Sequence, residues 1–188
     1  VSAALVGFAA VLSTAQGHCD RVNGPVAKAA RQALHEGDFT EIAIWVGQKQ
    51  EQELRKRFRE CREVYRKGGE PRDLAERYFM ETAVRLHREA EGMPYTGLKP
   101  AQPVPKDIAL ADKALKTGNV KPVTDFLAKE MRRQVMKQFS RARKARKNRE
   151  ESVKAGRRWT DAYVRYVIYV HGLHKKIQAG PRHGVGGE

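Results

Sequence analysis

The chain has 188 residues, room for one ordinary domain, and 37 Lys+Arg against 22 Asp+Glu give it a formal charge of +15. A hydrophobic fraction of 40% excludes a wholly disordered chain, and two cysteines exclude both a disulfide-dense scaffold and a zinc site built from cysteine alone. No apolar run approaches the roughly 20 residues of a membrane-spanning helix.

Residues 1–17, VSAALVGFAAVLSTAQG, carry no charge. The stretch from Ala3 to Leu12 has the length of a signal-peptide apolar region, and Ala15 and Gly17 supply the small residues of a cleavage site. A basic leader is missing and the first residue is Val, which leaves an N-terminal core helix as the competing reading. Export, periplasmic or extracellular, is the expectation. Cleavage after Gly17 would make His18-Cys19-Asp20 the new N-terminus. Cys19 is then a thiol, a metal ligand or a partner for Cys61; export permits that disulfide, but spacing alone does not bring the two sulfurs together.

The remainder reads as helical and repetitive. Ala30, Ala33, Leu34 and Gly37 recur 81 residues later as Ala111, Ala114, Leu115 and Gly118. Asp38, Phe39, Ile42 and Trp45 correspond in character to Asn119, Val120, Val123 and Phe126, and Phe58 to Phe139. The offset becomes 84 where Phe79, Ala83, Val84 and His87 meet Tyr163, Val167, Ile168 and His171. This predicts an all-α fold, a bundle of about six helices built from two similar three-helix units. The units span 18–91 and 106–179, joined by a Pro-rich linker over 92–105, with a disordered Gly-rich tail over 180–188.

Gly37 and Gly118 suit the left-handed residue that ends a helix, and Asp38 and Asn119 suit the N-cap of the next. Glu41 is placed to return a capping-box bond to Asp38. Gly68, Gly69 and Pro71 precede a helix expected over 72–91, with Ala75, Phe79, Ala83, Leu86, His87 and Ala90 on one stripe. A second helix, from about 158 to 176, stripes Tyr163, Val164, Val167, Ile168, Val170 and His171.

Metal ligation is the first functional reading. Glu91 follows His87 by four residues, so an imidazole and a carboxylate share one helix face, and His171 is the repeat partner of His87. A processed His18 would add a free α-amine and its own imidazole, with Cys19 a thiolate and Asp20 a carboxylate. That donor set, His18, Cys19, Asp20, His87, Glu91 and His171, suits a transition metal: copper, nickel or zinc. The competing reading makes the helical histidines hydrogen-bonded core residues and Glu91 a solvated residue near a helix end.

Charge supplies the second reading. Residues 132–158 hold 12 Lys+Arg and two acids. Arg141, Arg143, Lys144, Arg146, Lys147 and Arg149 could dock an anionic polymer or membrane surface, or could simply be solvated. Phe139 is the only aromatic near that run, and export disfavours nucleic acid as the natural partner. Neither a G-x-S-x-G elbow nor a Gly-rich phosphate loop occurs.

Three segments carry a resemblance: His18-Cys19-Asp20-Arg21-Val22-Asn23-Gly24-Pro25-Val26; Glu81 with Val84-Arg85-Leu86-His87-Arg88 and Glu91-Gly92; and Pro94-Tyr95-Thr96-Gly97-Leu98-Lys99-Pro100. Together they resemble an uncharacterised family of exported bacterial helical proteins whose mature chains begin His-Cys-Asp. The resemblance covers His18 to about Lys175 and implies export and a helical fold, with no established activity. A shorter one runs to the nickel hook of nickel superoxide dismutases, where His18 and Cys19 match two elements. Asn23 stands in place of the hook's second cysteine, and Val26 in place of an aromatic residue.

Overall fold

The computed structural model describes residues 18–180 and residue 184. The stretch read as a signal peptide, and most of the Gly-rich tail, lie outside the described residues. Seven helices follow one another: α1 (Pro25–Glu36), α2 (Thr40–Ala43), α3 (Gln48–Tyr65), α4 (Gly69–Ala90), α5 (Lys106–Thr117), α6 (Lys121–Lys147) and α7 (Val153–Gln178). The all-α expectation holds, with the single turn α2 added to the six expected helices. The chain divides into two compact units between Pro103 and Val104.

Helix boundaries follow local chemistry. Gly37 and Gly118 adopt φ of +82° and +68° and end α1 and α5, where a side chain would be strained. Asp38 Oδ1 accepts the Thr40 amide at 2.8 Å, and Asn119 Oδ1 accepts the Lys121 amide at 3.1 Å. Phe39 and Val120, not these two residues, occupy the cap positions, without a side-chain cap bond. Two starts differ from expectation. Gly68, at φ +75°, breaks the chain so that α4 begins at Gly69 rather than near Arg72. Ser152 Oγ accepts the Ala155 amide at 3.2 Å, so α7 begins at Val153 rather than near residue 158.

In the first unit α1 lays Val26, Ala27, Ala30, Ala33 and Leu34 into the core. The alanines let its backbone approach α4, which contributes Phe79, Ala83, Val84 and Leu86. From α3 come Leu54, Phe58, Cys61 and Tyr65, at the 4-3-4 spacing of a packed helix face. The Phe58 ring sits 5.5 Å from Phe39 and 5.7 Å from Phe79 between centroids. Each such large side chain contributes about 1.5–3 kcal/mol by leaving water. Arg62 of α3 donates to the Leu34 and His35 carbonyls at the end of α1. Two orphaned acceptors thereby meet a cation where the helix dipole favours one.

Residues 93–103 belong to this unit as a strap. Lys99 N–H donates to the Asp20 carbonyl at 2.7 Å, and Val22 N–H to the Lys99 carbonyl at 3.0 Å, forming an isolated parallel bridge. The Asn23 side chain donates to the Gln102 carbonyl at 2.8 Å and accepts from its amide at 3.3 Å.

In the second unit, α5 packs on α6 and α6 on α7. Ala155, Trp159, Ala162, Tyr166, Tyr169 and Leu173 form the sheltered row of α7, with Phe139 of α6 at 5.8 Å from the Tyr166 ring. Among the described residues of this unit only Ala155 is buried. The expected stripe of Tyr163, Val164, Val167, Ile168 and Val170 is exposed. Two apolar rows compete on α7, and the aromatic-rich row takes the α6 contact.

Candidate functional site

Two charged arrangements stand out, one in each unit. In the first unit Asp20 is 2% exposed, His87 2% and Arg88 4%. Burial of this kind is costly unless charges are paired, and here they are. Arg88 Nη1 meets Glu91 Oε2 at 2.7 Å, and its Nε lies 3.4 Å from Asp20 Oδ1. Lys99 Nζ, reaching in from the strap, lies 3.4 Å from Asp20 Oδ2. His87 Nδ1 is 2.7 Å from the Trp45 carbonyl, which can only accept, so that nitrogen carries a proton. Its Nε2 faces Glu91 Oε1 at 3.6 Å and has no hydrogen-bond partner among the described residues.

The sequence thus placed His87 and Glu91 correctly on one face, and Asp20 joins their network through Arg88. Neither Arg88 nor Lys99 was among the expected site residues, yet they are the groups that neutralise the two carboxylates. Among the described residues no group of three or more His, Cys, Asp or Glu side chains is placed to hold a metal ion. His18 and Cys19 lie half-buried beside Asp20, and Cys19 packs against the core. His171 is exposed on α7 in the other unit. At the positions compared with the nickel hook, Asn23 is tied to Gln102 and Val26 is fully buried. Cys61 keeps a thiol inside the core, and burial pushes its pKa up to about 11, which makes it inert at neutral pH.

The second arrangement is the tip where α6 gives way to α7. Ala142 and Ala145 turn inward, while Arg141, Arg143, Lys144, Arg146 and Lys147 are exposed and Arg149 is half-buried. Small residues make the close approach possible: a Cβ on Gly156 would stand 3.2 Å from the Arg149 carbonyl. Arg149 and Arg143 rest over the Trp159 and Phe139 rings at 5.3 and 5.8 Å. Lys154, Arg157 and Arg158 extend the positive surface onto α7 around an open hollow shared with Val153 and Asp161. Within 132–158 the described ion pairs are Arg133 with Glu130 and Arg149 with Glu150. The first of these holds the Glu130 carboxyl below its usual range through the hydrogen bond from Arg133.

No helix among the described residues is long and apolar enough to cross a membrane. Neither a curated protein nor a solved structure matches the chain. A family model does match, over residues 23–169, beginning just past His18-Cys19-Asp20 and taking in every helix from α1 to α6 with most of α7. The chain belongs to DUF6448, a family of unknown function.

Proposed function

We propose that the protein is a non-enzymatic interaction module that docks a polyanionic surface through the α6–α7 tip. One observation carries the reading: residues 132–158 hold 12 Lys+Arg against two acids, and in the run from Arg141 to Lys147 every cation is exposed while the two alanines are half-buried. A charge density of this kind is costly to keep on a compact unit unless counter-ions or a polyanion neutralise it. The last turn of α6 adds its own dipole, which favours cations there.

The test uses the full chain with anionic and zwitterionic vesicles and with polyphosphate, over a salt series. Binding to the anionic surfaces weakens steadily as salt rises. Replacing Lys144, Arg146 and Lys147 by Gln removes about 1 kcal/mol per charge near a membrane surface, a loss of roughly 100-fold in total. Affinity indifferent to salt, or unchanged in that triple variant, would sink the proposal.

A further inference from the structure

A different cluster lies in the first unit, away from the buried network. Lys28, Arg31, Gln32 and His35 lie at i, i+3, i+4 and i+7 and so share one side of α1. Together with Tyr65 at the end of α3, and Arg72 and Glu76 on the first turns of α4, they line an open cleft of about 450 Å³. That is the size of a small-ligand site, roughly 300–1,000 Å³. Lys28, Arg31 and Arg72 against Glu76 leave a net charge of +2 there before His35 is counted.

The wall of the cleft is built rather than incidental. Tyr65 is 7% exposed, and its hydroxyl accepts from Arg72 Nη2 at 2.8 Å. The same guanidinium lies 4.6 Å from the Tyr65 ring centroid, so Arg72 is held at two points. The hydroxyl proton of Tyr65 is left without an acceptor among the described residues. Glu76 is taken up by Arg31 Nε at 2.6 Å, while Arg31 Nη2 has only Met80 Sδ at 3.5 Å. Lys28 and His35 have no acidic partner among the described residues. Donors from three helices therefore converge with more positive charge than the cleft's one carboxylate balances.

We propose that this cleft binds a phosphoryl group, as inorganic phosphate or as a phosphate monoester. A phosphate dianion matches the net +2, and its several oxygens can accept from Tyr65 O–H, Arg72, Arg31 and Lys28 together. The arrangement uses no residue of the α6–α7 tip, so the two proposals stand or fall separately.

The experiment is an amide-resolved NMR titration of the full chain with inorganic phosphate and with glycerol phosphate, at ionic strength held constant with chloride. A parallel arm uses vesicles containing phosphatidic acid, which separates a soluble ligand from a lipid headgroup. Signals of Arg31, His35, Tyr65 and Arg72 should saturate together with one-site behaviour. Tyr65→Phe keeps the ring in the core and deletes the hydroxyl, which is both the free donor and the acceptor that holds Arg72, and should weaken binding severalfold. Arg72→Gln should weaken it tenfold or more, as expected for a charge-assisted bond. Replacing Lys144, Arg146 and Lys147 by Gln should leave it unchanged. Saturation only with phosphatidic acid vesicles, lost in Arg72→Gln, assigns the cleft to a headgroup and supports the proposal. Shifts that never saturate, that are the same in Tyr65→Phe and Arg72→Gln as in the wild type, or that map to 141–149 overturn it.

Discussion

A single methyl group at Gly24 tests the contact between the N-terminal loop and the strap. A Cβ there would lie 2.3 Å from the His18 carbonyl oxygen, 3.0 Å from that of Arg21 and 3.3 Å from that of Cys19. All three are backbone atoms, so no rotamer change relieves the overlap, and the loop over 18–22 must lift. Lifting it breaks the hydrogen bonds from Lys99 N–H to the Asp20 carbonyl and from Val22 N–H to the Lys99 carbonyl. These are worth about 1 kcal/mol each. Asp20 is also withdrawn from Arg88, which stays buried with Glu91 alone. Breaking a buried pair costs about 3–5 kcal/mol, and the retained Glu91 keeps that contribution at or below the lower end. Gly24→Ala is therefore expected to cost about 3–5 kcal/mol overall. The assay is urea unfolding of the full chain in a Trp159→Phe background, so that Trp45 reports the first unit alone. With a slope near 2 kcal/mol per molar, the midpoint falls by roughly 2 M. In an Asp20→Asn background the same change should cost at least about 1 kcal/mol less, because the ion pair is already gone. A loss below about 1 kcal/mol, or strict additivity with Asp20→Asn, refutes the reasoning.

Other consequences can be checked directly. Burial raises the Cys61 thiol from 9.0 to about 11, so the folded state holds this proton more tightly than the unfolded one. Its contribution is complete below pH 9 and is lost as the pH rises through 11, by roughly 1–3 kcal/mol; alkaline unfolding curves of Cys61→Ala should lack that component. Hydrogen exchange should find α5, α6 and α7 less protected than α1, α3 and α4, since Ala155 is the one buried residue described in the second unit. Equal protection of α7 and α4 would mean that the face from Tyr163 to Val170 is covered in solution. Leu34→Ala, at a fully buried position in the core, should cost about 2–5 kcal/mol in the same urea assay.

Helix content and several helix ends were legible because the signals are local. Gly37 and Gly118 end helices through a backbone conformation that glycine alone adopts freely, and the fourfold spacing of His87 and Glu91 fixes a shared face. Asp20 was legible only as one donor in a short N-terminal motif. Its neutralising partner Lys99 is 79 residues away, and nothing in the spacing announces that the strap returns to the segment around Asp20. The cleft of Lys28, Arg31, Tyr65 and Arg72 needs three helices placed together, so periodicity along any one of them is silent. On α7 the expected stripe from Tyr163 to Val170 is the exposed one, because the helix carries two apolar rows and periodicity does not rank them. Trp159, Tyr166 and Leu173 take the α6 contact because ring–ring packing with Phe139 is available on that side.

The bridge between Arg21 and Lys99 also has a meaning in polymer terms. It closes a loop of about 79 residues around α1 to α4, and bringing such distant points together costs about 4 kcal/mol of chain entropy beyond a constant. Helices that pack on near neighbours need no such closure, so the loop is cheapest to shut after α1, α3 and α4 have already drawn its ends together. The Lys99 contacts of Asp20 and Val22 therefore form only when residue 99 arrives. The segment around Asp20 and the strap are thereby set against each other in one step, and opening the strap removes both hydrogen bonds between them.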